Sequence, residues 1–446
     1  MPQHPHQPPV RHAEKMRRKA VERRHILAAK GGRMDVPFLL LTLLLTVIGL
    51  VMLFSASFPS AYYESGSPTF YLKRQGIFAI LGLAAMFVVA KVNYQRWRGA
   101  ARMLLIFSVF LLILVLIPHV GITHNRATRW LKIGVEFQPS EVAKIGVVLF
   151  FAARLCKREQ YKKKPSKNRY SKPVELIRRF WYWSELNELW PLVLILAIVA
   201  LLLIREPHLS ATILIFAAAA AILFAAGVKL FWFAVGGGLG AVGVWLLLVV
   251  VGYNGSRIEM WKNPWADPGD KGYQIVQSLY AVASGGLSGL GFGMSRQKFA
   301  YLPEEQNDYI FSIVCEEMGF IGAAIIIALF ALLVIRGYWL ALHARDRFGA
   351  LTIVGITTLM AVQVFLNIAV VTNLIPSTGI ALPFFSYGGT ALVIQLAEMG
   401  IVLSISRQIP APPEPAKKPL TRAEKKALKK AKKAEAKAAK AAEKAE

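Results

Sequence analysis

YNGSRIEMWKNPWADPGDKGYQIVQSLYAVASGGLSGLGFGMSRQKFAYLPEEQNDYIFSIVCEE, from Tyr253 to Glu317, is a long polar segment punctuated by Gly and Pro. It separates two apolar runs, 231–251 and 309–334, that are each long enough to cross a bilayer. Asp308 lies immediately before the second run. Long loops are usually functional or disordered, and the aromatic content of this one disfavours disorder. The aromatic residues are Trp261, Trp265, Tyr273, Tyr280, Phe292, Phe299 and Tyr301.

The distribution of charge indicates a membrane protein. The chain has 446 residues, is 55% hydrophobic and carries a formal net charge of +27. Of its 53 Lys and Arg residues, 9 lie in 1–34, 11 in 154–179 and 13 in 407–446. Basic blocks that flank apolar runs follow the positive-inside rule, whereas no nucleic-acid-reading module is recognisable. The two cysteines, Cys156 and Cys315, are too few for a disulfide framework.

The apolar runs predict ten transmembrane helices, because about 20 apolar residues cross a bilayer. We expect these helices near 36–57, 74–92, 102–118, 139–156, 189–204, 211–227, 231–251, 309–334, 350–370 and 389–406. The first run is too long for a signal-peptide core and is interpreted as an uncleaved span. The sequence therefore predicts an all-α polytopic membrane protein with a large extracellular loop between helices 7 and 8.

This arrangement divides the chain into three parts. A basic cytoplasmic tail covers 1–35, a ten-helix membrane domain covers 36–406, and a Lys- and Ala-rich cytoplasmic tail covers 407–446. The large extracellular loop is 252–308. With ten spans, both termini fall on one side, which the charge rule assigns to the cytoplasm. Only a tight turn, Arg205-Glu206-Pro207-His208, separates the two spans predicted within 189–227.

Asp308 admits two interpretations. As a helix N-cap, its carboxylate would accept backbone N–H groups and favour the helix dipole. As a functional carboxylate it would act as a base, a role that tight capping weakens by lowering the pKa. Upstream, Ile275, Leu279 and Val282 recur at helical spacing within 272–286, which predicts an amphipathic helix on the membrane surface.

Glu316 and Glu317 lie deeper in the eighth span. Helical geometry brings Glu316 within about 80° of Asp308 around the axis. Ionisable groups inside a membrane normally face a polar cavity. The alternative is a structural hydrogen bond to a neighbouring helix.

A second polar cluster, THNRATRWLKIGVEFQPSEVAK, ends at Lys144. Pro139 suits the first turn of a helix, and Glu141 and Lys144 are spaced to pair. Arg129 and Lys132 lie just before this helix, with Trp130 as an interface aromatic. They would either anchor the chain at the membrane interface or form a cationic site for phosphate.

Two further polar insertions are Arg205-Glu206-Pro207-His208 and PSTGIALPFFSYGGT over 376–390. The Pro and Gly of the latter predict broken helix beside a cavity or within protein. No P-loop, HExxH, zinc spacing or nucleophilic Ser elbow is present in the sequence. The Gly-rich string GGLSGLGFG lacks the strand-turn-helix context of a dinucleotide loop.

The string NPWADPGDKGYQIVQSLYAVASGGLSGLGFGMSRQKFAYLPEEQNDYIFSIVCEEMGFIG resembles the large outer loop and following helix of the SEDS family (shape, elongation, division and sporulation). QPSEVAK at 138–144, EPHLSAT at 206–212 and PSTGIALPFFSYGG at 376–389 resemble its other motifs in the same order. The resemblance covers roughly 36–406. GMSRQK and NPWADP are more similar to the division branch than to the elongation branch.

The resemblance implies a peptidoglycan glycosyltransferase that polymerises lipid II at the outer face of the bacterial plasma membrane during septal wall synthesis. Asp308 falls on the family's essential loop aspartate. Its implied role is to accept a proton from, or to position, the sugar hydroxyl that attacks the anomeric carbon of a second lipid II. Undecaprenyl pyrophosphate would leave with inversion, which needs a base and no covalent intermediate.

The leaving pyrophosphate needs positive charge, from Arg and Lys side chains or from a divalent cation such as Mg²⁺ or Mn²⁺. No other cofactor is implied. The substrate-binding candidates are four cations and three residues at further family motif positions. The cations are Arg129, Lys144, Arg257 and Lys298, and the others are Trp130, Glu141 and Glu304.

The chain departs from the family pattern at three places. Glu206-Pro207-His208-Leu209-Ser210 stands where many members have Gln-Pro-Asp-Leu-Gly, and Pro376-Ser377-Thr378-Gly379 stands where some division members have Pro-Thr-Lys-Gly. Cys315 stands where glycine is common. Roles of that Asp and Lys therefore do not carry over, and none of the departures touches Asp308.

The resemblance also implies the setting of the protein. The implied partners are lipid II, a class B penicillin-binding transpeptidase, other divisome membrane proteins and membrane lipids, with no nucleic acid. The implied location is the plasma membrane, multi-pass, at the division septum.

Two other classes of function stay open. A lipid II flippase would also use many spans, intramembrane charges and broken helices, but it needs polar groups accessible from both sides. A non-catalytic divisome scaffold would leave Asp308 replaceable.

Overall fold

The computed structural model describes residues 32–124, 127–158, 185–245 and 255–409. Most of the predicted terminal tails and most of the central basic block lie outside these residues. In chain order the helices are α1 Val36–Ser65, α2 Phe70–Lys91, α3 Gln95–Val115, α4 Pro139–Leu155, α5 Leu186–Arg205, α6 Leu209–Ala225, α7 Leu230–Trp245, α8 Gly255–Lys262, α9 Tyr273–Ser284, α10 Ile310–Leu342, α11 Arg347–Val371 and α12 Gly389–Ser406.

Each of the ten predicted spans coincides with a helix over the residues that the structure describes, which confirms the polytopic helical class. Residues 246–251 of the seventh predicted span lie outside those residues. Seven helices of the described chain are long and apolar enough to cross a membrane, namely α1, α2, α3, α5, α10, α11 and α12. α6 and most of α7 are shorter apolar helices, and α4 is the tenth. α5 and α6 are separate helices joined by a turn at residues 206–208, as predicted.

Local chemistry fixes where α1 begins and ends. The carboxylate of Asp35 accepts the N–H of Phe38 at 3.0 Å, and a proline stands in the first turn. At the other end Gly66 adopts a left-handed conformation and returns its N–H to the carbonyl of Tyr62 at 2.9 Å. Asp35 also accepts a hydrogen bond from Nε of Arg336 at 3.0 Å. This ion pair ties the start of α1 to α10.

A small antiparallel sheet lies between α3 and α4, where the sequence predicted only a loop. Its strands, in spatial order, are β1 Gly121–His124, β2 Ala127–Ile133 and β3 Val135–Phe137. Leu131 of β2 pairs with Gly121 on one side and Phe137 on the other. It is 1% exposed and packs on Leu111 and Val115 of α3. The sheet therefore sits on the end of the helix bundle where α4 begins.

The amphipathic helix predicted within 272–286 is α9, but its buried side faces protein. Ile275 and Val276 are buried. Ser278 donates to the carbonyl of Val371 at 2.9 Å and lies 2.8 Å from the hydroxyl of Ser312. α9 thus packs on α10 and α11 and not only on a membrane surface. An apolar stripe on a helix is suited both to lipid and to neighbouring helices, so the sequence pattern did not distinguish the two.

α10 is interrupted at Gly319, where φ is 66° and ψ is −169°. The Gly-rich segment 285–291 hydrogen-bonds to both sides of the interruption. Its carbonyls accept the N–H groups of residues 320 and 321 at 2.9 and 3.1 Å, and its N–H groups donate to the carbonyls of residues 316 and 317 at 2.9 and 3.0 Å. The broken helix is therefore satisfied by protein, as backbone at membrane depth requires.

Candidate functional site

Asp308 lies directly before α10, and it does not cap that helix. The N-cap is Tyr309, which makes no side-chain cap hydrogen bond. The capping interpretation of Asp308 is therefore wrong. The side chain of Asp308 is half-buried.

The backbone on either side of the Asp308 carboxyl is held by polar side chains from two other segments. The carbonyl of Asn307 accepts the hydroxyl of Ser386 at 2.6 Å. The carbonyl of Asp308 accepts Nδ2 of Asn367 at 2.8 Å, and the same nitrogen donates to the carbonyl of Ile380 at 2.7 Å. Asn367 is fully buried in α11. It therefore fixes the position of Asp308 relative to the broken segment between α11 and α12.

The electrostatic surroundings of Asp308 suit a base. Burial raises the pKa of its carboxyl from 3.8 to about 6, and the nearby Glu304 carboxylate contributes in the same direction. The guanidinium groups of Arg129 and Arg257 lower the pKa. A carboxyl with this pKa is ionised at neutral pH and is more basic than an ordinary aspartate.

The segment that follows α11 forms one wall of the site. A side chain at Gly379 would place its Cβ 3.2 Å from Oδ2 of Asp308, so the two residues are in close approach. Ser377 accepts Nη1 of Arg257 on its carbonyl at 3.3 Å, and its hydroxyl lies 3.3 Å from the hydroxyl of Tyr309. The broken segment thus links Arg257 to the neighbourhood of Asp308.

Strand β2 carries Arg129 to the same place. Its Nε donates to the carbonyl of Glu206 at 3.3 Å, and a second nitrogen donates to the carbonyl of Pro207. These bonds hold the guanidinium between the sheet and the turn that joins α5 to α6. Arg129 is the extra residue of an irregularity in the pairing of β2 with β1, between Thr128, which pairs with Thr123, and Trp130, which pairs with Ile122. Trp130 is the next residue of the strand. It is half-buried.

Glu141 and Lys144 form the predicted pair at the start of α4. Nζ of Lys144 lies 2.7 Å from Oε2 of Glu141, and both side chains are largely buried. Glu398 of α12, which is 5% exposed, lies within electrostatic reach of both. The sequence interpretation missed Glu398, although an isolated acid within an apolar run is a signal for a functional or paired group.

The turn between α5 and α6 adds two buried titratable groups. Glu206 is 1% exposed, and within the described chain neither oxygen of its carboxyl has a hydrogen-bond partner. Burial raises its pKa to about 8, against the opposing effect of Arg129. Burial lowers the pKa of His208, and the positive charges of Arg129 and Lys144 add to that effect. His208 thus lies within electrostatic reach of both Arg129 and Lys144.

Lys298, which was predicted to bind pyrophosphate, is engaged by groups of the protein other than those described around Asp308. The residue is 2% exposed. Its ammonium donates to Glu317 Oε1 at 2.8 Å and to the carbonyl of Gly293 at 2.7 Å, and it lies 3.4 Å from the hydroxyl of Ser55. The buried carboxylate of Glu317 therefore neutralises the positive charge of Lys298.

Glu316 and Glu317 make structural hydrogen bonds, the second of the two interpretations drawn from the sequence. Glu316 accepts the hydroxyl of Ser295 at 2.5 Å and the N–H of Arg296 at 3.0 Å. Glu317 accepts Lys298, as described above. Both glutamates thus fasten the loop before Asp308 onto α10 rather than facing a cavity with it.

The candidate site therefore contains Asp308 with Arg129, Arg257 and Glu304 around it, and the Glu141–Lys144 pair connected through the turn at 206–208. Among the residues that the structure describes, no group of three or more His, Cys, Asp and Glu side chains comes together to hold a metal ion. Arg and Lys side chains supply positive charge to the site.

Residues 36–410 match the model of a family described as cell cycle protein, which covers FtsW, RodA and SpoVE. The chain is 40% identical over 382 residues to stage V sporulation protein E of Bacillus subtilis, covering 85% of this chain and 99% of that protein. It is 38% identical over 382 residues to the probable peptidoglycan glycosyltransferase FtsW of Geobacter sulfurreducens, covering 85% and 97%.

Two solved structures are also similar. One belongs to a peptidoglycan synthase complex described for its coordination of polymerisation and crosslinking; the TM-score is 0.65 at 28% identity, with 84% of this chain and 98% of that chain covered. The other is the rod shape determining protein RodA of Thermus thermophilus, with a TM-score of 0.59 at 26% identity and coverage of 85% and 98%. The resemblance drawn from the sequence motifs is confirmed.

Proposed function

Since the chain belongs to the cell cycle protein family of FtsW, RodA and SpoVE, we propose that it is a peptidoglycan glycosyltransferase that polymerises lipid II at the outer face of the plasma membrane. The observation that carries this proposal is Asp308, a half-buried carboxyl of raised pKa with two arginines within electrostatic reach. A base beside positive charge is what transfer of a sugar from a pyrophosphate requires.

In the proposed reaction, Asp308 accepts the proton of a sugar hydroxyl on one lipid II while the hydroxyl oxygen bonds to the anomeric carbon of another. The bond from that carbon to the pyrophosphate oxygen breaks, and the pyrophosphate leaves with the electron pair. Arg129 and Arg257 would stabilise the negative charge that develops on it. The carbon is inverted, because one displacement occurs without a covalent enzyme intermediate.

Lys144 and Glu141 have a more distant proposed role. Lys144 is paired with Glu141 at 2.7 Å. This pair holds the ammonium of Lys144 in place, so its charge contributes to the electrostatic potential of the site from a fixed position.

A divalent cation such as Mg²⁺ or Mn²⁺ would add positive charge at the pyrophosphate. The described residues supply isolated carboxylates near Asp308 rather than a cluster of ligands, so the proposed reaction assigns no step to such an ion.

We propose a class B penicillin-binding transpeptidase as the partner, because polymerisation and crosslinking are coordinated in the similar synthase complex. The proposed location is the division septum, on the strength of the division-type motifs in the outer loop. Both termini are proposed to be cytoplasmic, since the basic blocks over 1–34 and 407–446 would then obey the positive-inside rule.

One observation favours a flippase as the second candidate. Glu141, Lys144 and Glu398 are buried ionisable groups within helices, and such groups often line a transport path. Asp308, Arg129 and Arg257, in contrast, meet at the end of the bundle that carries the sheet, which favours chemistry at one face. An assay in detergent separates the two functions, because polymerisation needs no membrane barrier.

The pH dependence of polymerisation tests the role of Asp308. The kcat/KM of the wild type is expected to rise with pH and to reach half its maximum near pH 6, since Asp308 must lose its proton to act as a base. Glu304→Gln removes a charge that raises the pKa, so the midpoint should move to lower pH. Arg257→Gln removes a charge that lowers the pKa, so the midpoint should move to higher pH.

The matched control for these shifts is Arg296→Gln, which removes an exposed cation of the same loop. Its midpoint should equal that of the wild type. Initial rates measured across the pH range around the pKa give all four midpoints. Shifts of the Glu304 and Arg257 variants in the same direction would contradict the assignment of Asp308 as the titrating base.

Asn367 is expected to act as a positioning residue. Asn367→Ala removes the donor that holds the carbonyls of Asp308 and Ile380. Displacement of a catalytic group by about 1 Å costs up to about 100-fold in rate, so we expect kcat to fall by about 10- to 100-fold with KM little changed. Steady-state rates over a range of lipid II concentrations separate the two parameters.

Thr358→Val is the control in the same helix. The hydroxyl of Thr358 bonds to the carbonyl of Val354 at 2.7 Å and lies 2.9 Å from the hydroxyl of Tyr338, away from Asp308. This variant should keep the kcat of the wild type. A kcat for Asn367→Ala as high as that of the control would remove the positioning role.

A further inference from the structure

A cavity of about 910 Å³ lies between α3, α4 and α5, and its size is within the range of ligand pockets. It is at the end of the bundle opposite to Asp308. α4 begins beside the sheet at Pro139 and reaches the cavity only with its last turns. α3 runs in the other direction and lines the cavity from Arg98, near its start, to Val109. The cavity therefore forms no part of the candidate site.

The cavity combines a cationic rim with an apolar wall. The cations are Arg98 and Arg102 from α3, Arg154 from the end of α4, and Lys157 just beyond it. No acidic residue is among those that line the cavity. The principal apolar residues are Leu105, Ile106, Val109, Phe150, Ile195 and Ile198.

The charge of the rim is not neutralised by the protein that the structure describes. Within that part of the chain, none of the four cations forms an ion pair. A neighbouring acid, Asp346, is engaged by the hydroxyl of Tyr94 at 2.8 Å and by Nε2 of Gln95 at 2.6 Å. Four cations that converge on one cavity attract an anion.

We propose that this cavity binds an anionic phospholipid from the leaflet on the side opposite to Asp308. The phosphate would lie at the rim, where arginine can donate two parallel hydrogen bonds to phosphate oxygens. An acyl chain would lie along the apolar wall. Basic pockets between transmembrane helices are suited to anionic headgroups. The inference rests on the cavity and its charge, and it is independent of the proposed reaction.

The segment over 159–184 follows α4 directly and lies outside the described residues. It contains eight Lys and Arg residues and two Glu residues. Its net charge has the same sign as the rim, so it does not complement the cavity. A lipid with a negative headgroup and an apolar chain complements both walls.

The test measures lipid retention by native mass spectrometry on the full chain in detergent. The probes are dioleoyl phosphatidylglycerol, dioleoyl phosphatidylcholine and undecaprenyl phosphate. The wild type should retain phosphatidylglycerol in preference to phosphatidylcholine. Arg102→Gln/Arg154→Gln should weaken the binding of phosphatidylglycerol about 30-fold, since each cation beside an anionic lipid contributes about fivefold.

Two further variants make the result specific. Arg102→Lys/Arg154→Lys keeps the charge and should retain most of the binding. Lys91→Gln/Arg96→Gln removes two exposed cations at the same end but outside the cavity, and should bind as the wild type does. Equal retention of the two phospholipids, equal weakening in both Gln variants, or no effect of Arg102→Gln/Arg154→Gln would overturn the proposal. Tighter retention of undecaprenyl phosphate than of phosphatidylglycerol would also overturn it, in favour of a polyprenyl ligand.

Discussion

Asp308→Asn is expected to abolish the polymerisation of lipid II while leaving the protein folded. The change keeps the size of the side chain and removes its ability to accept a proton. A positioned general base contributes about 10²- to 10⁴-fold to a rate, so the residual activity should fall by at least about 100-fold. The rate of glycan strand formation by the purified variant measures this loss.

Asp270→Asn is the matched control, because Asp270 belongs to the same loop and is exposed. It should polymerise at the rate of the wild type. Thermal unfolding and copurification with the transpeptidase establish that both variants are intact. If well-folded Asp308→Asn polymerises as fast as the control, Asp308 has no part in the reaction, and the scaffold interpretation gains support.

Lys298→Met is expected to lower the free energy of unfolding by about 3–5 kcal/mol, because it leaves a buried carboxylate without its cation. The Glu317 side chain is 0% exposed and that of Lys298 is 3% exposed. Exchange of both residues for apolar side chains should be less harmful than either single change. Thermal unfolding of Lys298→Met, Glu317→Met and the double variant, each in detergent, gives the comparison.

Lys271→Met provides the control, since Lys271 is an exposed lysine of the same loop. Its unfolding temperature should match that of the wild type. An unfolding temperature of Lys298→Met as high as that of this control would contradict the structural role of Lys298. A stable Lys298→Met that has lost polymerisation would instead restore the prediction that Lys298 binds pyrophosphate.

The positions of the helices were predictable because the bilayer imposes a length and a composition on each span. The same is true of the polar segments that meet at the candidate site, since they interrupt apolar runs. α4 was identifiable from Pro139, and the pairing of Glu141 with Lys144 follows from their spacing of three residues. These features depend on local sequence alone.

The role of Lys298 was not predictable, because its partner is fixed by the path of the Gly-rich loop. Gly289 has φ of 80°, and a Cβ at this position would lie 2.1 Å from the carbonyl oxygen of Glu317. Only glycine allows the loop to approach α10 this closely. The approach brings Lys298 to Glu317, 19 residues away in the chain.

The small sheet and the position of Glu398 beside the Glu141–Lys144 pair were not predicted, for different reasons. β1 and β3, of 4 and 3 residues, are too short to show a clear alternation, and the 7-residue β2, ATRWLKI, does not alternate apolar with polar residues. Glu398 is a single acid whose neighbours Lys144 and Glu141 belong to another helix. The surroundings of Glu398 depend on how α12 packs against α4, and this contact cannot be inferred from the local sequence of either helix.

Strand formation from labelled lipid II in detergent, by the purified wild-type chain together with a class B transpeptidase, tests the central claim most directly. In detergent no membrane barrier exists, so a flippase produces no measurable change. We predict glycan strands that lengthen with time and the release of undecaprenyl pyrophosphate. A folded complex that forms no strands, yet moves lipid II across the membrane of reconstituted vesicles, would contradict the transferase and establish translocation in its place.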